Sequence, residues 1–169
     1  MRTKRTLKAS LFALLFVPFL ALAQGGIINA YQTVDLNAAP RDVWDAIKTF
    51  DGLAGWHPVF SEAVLLDGEN GTPGAMRRLT VKDGPSFDEE LLELDEAQMK
   101  LRYKIIGENE LPIDNYDATI QVVRTGRGRS SVLWRGSFTA KPGNKDEDMI
   151  KFIEGVYRAG LDNLKQMFQ

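Results

Sequence analysis

Apolar and polar positions fall into distinct regimes along this chain, and each regime predicts a different element. Leu11 to Leu22 is a nearly unbroken apolar run. Ile27 to Leu36 alternates loosely and predicts a first strand, which Asn37-Ala38-Ala39-Pro40 breaks. Proline near a helix start has a preset φ and no needed N–H, so Pro40 opens a helix. Val43, Trp44, Ile47 and Phe50 follow at helical spacing. Asp51-Gly52 ends that stripe, and Leu53 to His57 forms a second short helical piece stopped by Pro58.

From Val59 to about Ala140 the period shortens to that of strands. Asn70-Gly71 and Asp83-Gly84 are hairpin dipeptides, and Asp95–Gln98 and Gly126–Gly128 read as further turns. Between them lie runs near Glu62–Leu66, Ala75–Lys82, Phe87–Leu94, Lys100–Ile106, Tyr116–Val123 and Ser131–Ala140. Successive hairpins make an antiparallel meander, since parallel pairing needs long crossovers. The last regime is helical again: Met149, Phe152, Ile153, Val156, Tyr157, Gly160, Leu161, Leu164 and Phe168 share one wide face. Asp146, Glu147 and Asp148 occupy the first turn, where the helix dipole favours negative charge. The sum is an α+β fold: a curved seven-stranded antiparallel sheet wrapped around a long C-terminal helix, with two short helices after strand 1. A curved sheet cannot touch a straight helix along its whole length, and the gap it leaves is a natural ligand cavity.

Strand parity sorts the side chains that face this gap. Val132, Trp134, Gly136 and Phe138 share one face of the last strand, and Tyr116, Ala118, Ile120 and Val122 one face of the strand before it. Leu101, Tyr103 and Ile105 come next, then Arg77, Leu79 and Val81, and Phe87, Glu89 and Leu91. Glu93 breaks this parity and predicts a bulge or an early strand end. The inward face is apolar except for Arg77, Glu89, Tyr103, Tyr116 and the indole N–H of Trp134. A buried charge must be paired. Arg77 and Glu89 flank the Asp83-Gly84 turn, so they either only satisfy each other or also grip an anionic or hydroxylated ligand.

The N-terminal segment changes the charge picture. Arg2, Lys4, Arg5 and Lys8 precede the apolar run with no acid among them, and Ala21-Leu22-Ala23 has the form of a cleavage site. A helix over the run reaches about 18 Å, short of the ~30 Å hydrocarbon core. Residues 1–23 therefore read as a Sec signal peptide, cleaved after Ala23, with one domain over 24–169 that is periplasmic or secreted. Its removal leaves 17 Lys+Arg against 23 Asp+Glu. A mildly acidic protein of this kind is a poor match for nucleic acid or anionic lipid, and no membrane span is expected once the signal is removed.

Absences exclude more chemistry. The chain has no Cys and one His, so disulfides, thiolate nucleophiles, Cys-ligated metals and multi-histidine centres are ruled out. There is no nucleotide-binding glycine loop and no G-x-S-x-G, and neither a metal nor a cofactor is expected. His57 follows Trp56 in a loop expected at the cavity mouth, as a general base or as a surface or capping residue. Trp44 lies on the buried stripe of the first helix, where core packing explains it. Asp88, Glu89, Glu90, Glu93, Asp95 and Glu96 form an acidic strand end: a docking patch for a basic partner, or a solvated edge that discourages aggregation.

An ordered set of residues resembles a family. It runs through Pro40, Val43 and Trp44, Trp56-His57-Pro58, Gly74 with Arg77, Glu89 with Leu91-Leu92, and Tyr103. It continues through Leu111-Pro112 with Tyr116, Trp134 with Phe138, and Tyr157 with Gly160-Leu161 and Leu164-Lys165. This resembles the START-like helix-grip superfamily (SRPBCC) in its polyketide cyclase/dehydrase-like branch, and among exported members the periplasmic MxaD-type proteins associated with bacterial methanol oxidation. The resemblance implies a hydrophobic cavity under the C-terminal helix, lined by Arg77, Glu89, Tyr103, Tyr116, Trp134 and Tyr157; Trp56 and His57 join these at the expected mouth. It implies no universal catalytic residue. The reading is a protein that binds a small hydrophobic or amphipathic molecule, compatible with a role as accessory factor of a periplasmic oxidation system and with a protein partner there. The alternative is a cyclase or dehydratase-like enzyme using Glu89, Tyr103 or His57 as acid or base.

Overall fold

A computed structural model describes residues 26–169. The expected signal peptide, 1–23, and its cleavage site lie outside the described residues. The order is β1 (Ile28–Leu36), α1 (Pro40–Ile47), a 3-10 helix (Phe50–Gly55), β2 (Phe60–Asp67), β3 (Met76–Val81), β4 (Ser86–Asp95), β5 (Lys100–Ile106), β6 (Ile113–Gly126), β7 (Arg129–Ala140) and α2 (Asp146–Met167). All seven strands form one antiparallel sheet in the order β1-β7-β6-β5-β4-β3-β2, so the meander is closed at one edge by the return of β1 beside β7. This is the α+β architecture that the periodicity predicts and the helix-grip fold that the resemblance implies.

The inward sets are those that parity assigns. Leu79, Leu91, Leu101, Ile120, Val132 and Phe138 are buried on the face that meets α2 and α1. The parity break at Glu93 is a bulge: Leu91 pairs with Tyr103 and Glu93 with Arg102, leaving Leu92 as the extra residue. The bulge keeps Glu93 outside, where it meets Lys100 at 2.8 Å, and returns Leu94 to the inward register opposite Leu101.

Local expectations differ from the structure at several points, the first being the second helical piece, expected over Leu53 to His57 and found as the 3-10 helix Phe50–Gly55. Strand β6 starts at Ile113, three residues before Tyr116, because Asn115 takes a positive φ (55°) and a register shift between Asp114 and Asp117 lets both Ile113 and Tyr116 point inward. Asn70-Gly71 lies within a longer connection, 68–75, and does not form a two-residue hairpin. The Asn70 side chain has other work: its Oδ1 accepts from the Phe50 N–H and its Nδ2 donates to Asp51. At the β3–β4 turn it is Asp83, not Gly84, that takes the positive φ (56°).

Helix α2 packs mainly on β1 and β7. Trp44, fully buried, ties α1 to the β4–β5 turn by donating from Nε1 to Glu96 Oε2 at 2.9 Å. Among the described residues no helix is long and apolar enough to cross a membrane, and no three His, Asp or Glu side chains are grouped as metal ligands.

Candidate functional site: a cavity between the sheet and α2

Two glycines determine where α2 touches the sheet. A Cβ on Gly136 of β7 would collide with the Tyr157 hydroxyl, and one on Gly160 of α2 would collide with the His57 ring and crowd Trp134. At these two points the helix lies directly on β7 and on the Trp56-His57 segment. Away from them, towards β3–β5, the sheet curves off and the helix does not follow.

His57 belongs to the first of these regions, which corrects the expectation of a residue at the cavity mouth. It is 1% exposed and does not border the cavity. Its Nε2 lies 3.0 Å from the Val156 carbonyl, in the middle of α2, and the Val59 N–H donates to Nδ1 at 3.3 Å. A carbonyl can only accept, so the proton is on Nε2 and the ring is neutral. Burial pushes the imidazole pKa down to about 4; the Val156 bond opposes this and the Arg77 charge adds to it. Trp56 is also buried and away from the cavity. Its carbonyl accepts from Asn163 Nδ2 at 2.7 Å, a second tie to α2. The pair holds the helix on the sheet because Pro58 and the 3-10 helix turn this short segment inward, which no local pattern shows.

The gap itself is a cavity of about 100 Å³. Its floor comes from the inward residues of β3–β7, including Leu79, Phe87, Glu89, Tyr103, Tyr116 and Trp134. Its roof is Phe152, Ile153, Val156 and Tyr157 of α2, and Leu111 closes it from the β5–β6 connection. Five of the residues singled out from sequence therefore border it: Glu89, Tyr103, Tyr116, Trp134 and Tyr157. Arg77, Trp56 and His57 do not. Leu111 and Ile113 are wall residues that parity misses, because both precede the run read as a strand, whereas the half-exposed Phe152 belongs to the apolar stripe of α2.

Arg77 lies behind the wall. Its Nε and Nη2 both donate to Glu89 Oε2, at 2.8 and 2.5 Å, and its Nη1 donates to the Phe50 carbonyl. The guanidinium lies 4.2 Å from the Phe50 ring centroid and 5.3 Å from that of Tyr103. Burial pushes the Glu89 carboxyl above the usual carboxylate range, and Arg77 opposes this only in part. Neutralising Glu89 would leave a buried guanidinium without its counter-charge, so the pair stays ionic at neutral pH.

The remaining polar groups on the wall are phenols and one indole. Trp134 Nε1 donates to the Tyr103 hydroxyl at 2.9 Å, and the Tyr116 and Tyr157 hydroxyls share a hydrogen bond of 2.8 Å. Trp134 stacks on Tyr157 with centroids 4.7 Å apart. Burial raises the pKa of all three tyrosines, so they act as neutral donors and acceptors. The arrangement encloses an apolar body and offers few, convergent polar contacts.

The acidic strand end is not a free patch. Asp88 pairs with Arg78, Glu90 with Lys104 and Glu93 with Lys100 across the outer face, while Asp95 caps its own turn. Glu96 takes Arg41, Lys48 and the Trp44 indole together. The partners of Asp88, Glu90 and Glu93 come from the register, which sets cations beside them on the neighbouring strands, whereas Arg41 and Lys48 reach Glu96 from α1 and its C-terminal end.

The polyketide cyclase / dehydrase and lipid transport family model matches residues 28–169. Among solved structures, the protein XoxI from Bacillus cereus superposes with a TM-score of 0.76 at 30% identity, over 83% of this chain and 95% of its own. An uncharacterised protein from Bacillus thuringiensis does so at 0.75 and 29%, covering 83% and 98%. A Thermobifida fusca protein follows at 0.74 and 28%, covering 83% and 92%. The match runs from the first strand to the end of α2, on the fold built above, and so the chain belongs to the polyketide cyclase / dehydrase and lipid transport family.

Proposed function

We propose that this chain binds a small apolar molecule between its sheet and α2, and that it does so after export, as an accessory factor of a periplasmic oxidation system. The observation that carries the binding reading is the cavity wall: of its seventeen lining residues only Glu89 is charged. Apolar enclosure of this kind favours burial of an apolar ligand at roughly 25 cal/mol per Å² removed from water. A volume of about 100 Å³ corresponds to roughly three waters' share of liquid volume, which limits the ligand to a short chain or at most one ring. The basic, apolar N-terminal segment and the resemblance to MxaD-type proteins support the setting.

Native mass spectrometry of the protein taken from a periplasmic extract of its own host tests this. A stoichiometric adduct that is lost on denaturation is the expected result. A clean apo mass, together with no shift on adding small apolar molecules, would overturn the binding reading. A cyclase or dehydratase reading has one observation in its favour, the Glu89 carboxylate on the cavity wall. His57 is turned into α2 and the tyrosines keep their protons, so the base of such a reaction would be Glu89. Turnover that survives Glu89→Gln removes that reading.

A further inference from the structure

Resting on the binding reading, we infer that the ligand presents a neutral hydroxyl to Glu89 and that carboxylates are excluded from the cavity. The argument begins with the two oxygens of Glu89. Both Arg77 bonds fall on Oε2, and Oε1 accepts no hydrogen bond from the protein. Among the described residues the one fully enclosed side-chain polar atom without a partner is Trp56 Nε1, so Oε1 is not sealed in. Glu89 is 3% exposed and borders the cavity, which makes the cavity the open side of Oε1.

An acceptor in this position asks for a donor, and leaving it unmet in an apolar cavity is unfavourable. The guanidinium cannot serve an incoming anion. Arg77 does not border the cavity, and its Nη1 is held by the Phe50 carbonyl. A ligand carboxylate would therefore meet the carboxylate and not the cation behind it. An ammonium ligand would add a second positive charge beside Arg77.

A hydroxyl fits on both counts, because it also accepts. Tyr103 accepts from Trp134, so its own proton can turn to the neighbouring Tyr116 hydroxyl or to a ligand. It lies on the same face as Glu89, two residues from Ile105, the partner of Glu89 across β4 and β5. A ligand hydroxyl that donates to Oε1 can thus accept from a phenol of the wall, while its apolar body lies against Leu79, Phe87 and Phe152.

The test uses three probes of nearly one shape, toluene, p-cresol and p-toluate, titrated into the folded protein at neutral pH. The indole N–H signal of Trp134 reports the site by NMR. Binding of p-cresol about tenfold or more tighter than toluene is expected, with no site binding of p-toluate. Because Glu89→Ala alone strands Arg77, the second protein is the double variant Arg77→Met with Glu89→Met, which replaces the ion pair with apolar side chains of similar volume. It should keep toluene and lose the preference for p-cresol. Equal binding of toluene and p-cresol to the wild type, binding of p-toluate, or a preference that survives in the double variant would overturn the inference while leaving the cavity a binding site. Failure of all three probes would overturn the binding reading and this inference with it.

Discussion

Acid should loosen α2 through His57 before it titrates most carboxylates. In the folded protein the neutral ring gives its Nε2 proton to the Val156 carbonyl and takes the Val59 N–H on Nδ1. A second proton would have to sit on Nδ1, facing a donor, inside a packed interface beside Arg77. That is why burial holds the folded pKa at about 4 against an ordinary value of 6.5. The unfolded chain binds the proton first, so stability is full above pH 6.5, falls as the pH drops below it, and levels off near pH 4. Linkage makes the loss about 2 kcal/mol at pH 5 and about 3 kcal/mol at pH 4, relative to pH 7.5. Urea unfolding at these pH values, for the wild type and for His57→Gln, separates this effect from the carboxylates common to both. Glutamine can still donate to Val156 and does not titrate. The stability advantage of the wild type should shrink by about 2 kcal/mol between pH 7.5 and pH 5. Curves that stay parallel within ~0.5 kcal/mol would refute the assignment of a neutral, buried His57.

Further outcomes follow from the seating of α2 and from the ion pairs. Gly136→Ala and Gly160→Ala should each destabilise the fold by about 1–3 kcal/mol in urea unfolding, because the new Cβ collides with the Tyr157 hydroxyl in one case and with the His57 ring in the other. Gly155→Ala on the same helix meets nothing within 4 Å and should be neutral or stabilising by up to ~1 kcal/mol. Arg77→Met alone should cost about 3–5 kcal/mol by leaving Glu89 unpaired, whereas adding Glu89→Met should restore most of it in a double-mutant cycle. On the outer face, where the Arg78 side chain is 54% exposed, Arg78→Ala should leave the denaturation midpoint close to that of the wild type.

Much of the fold is legible in the chain because the relevant forces act between near neighbours. The alternation in β3–β7 is a property of adjacent peptide units, and it sorts Leu79, Glu89, Tyr103, Tyr116 and Trp134 onto one face without any knowledge of pairing. Glu93 announces its bulge because a carboxylate cannot follow Leu91 into the core. The stripe from Met149 to Leu164 shows that α2 must lie on something, and the meander is the one sheet the sequence offers. Where the reading falls short, the missing information is geometric. The β6 start depends on one left-handed residue, Asn115, and the long 68–75 connection on a side chain that reaches back to Phe50 and Asp51.

By itself, then, the sequence determined the element order, the antiparallel meander, the inward set of each strand and the pairing of Arg77 with Glu89, all of which rest on periodicity and short turns. Tertiary structure alone decided what those residues face. It turned His57 and Trp56 into α2, 99 and 107 residues away from their partners Val156 and Asn163. It placed Arg77 behind Glu89, so that a carboxylate and not a guanidinium meets the cavity, and it gave Asp88, Glu90 and Glu93 of β4 a cation from a neighbouring strand. Such contacts are decided by where a curved sheet meets a straight helix and leaves it. Two glycines on different elements, Gly136 and Gly160, mark that meeting, and no periodicity within either element records it.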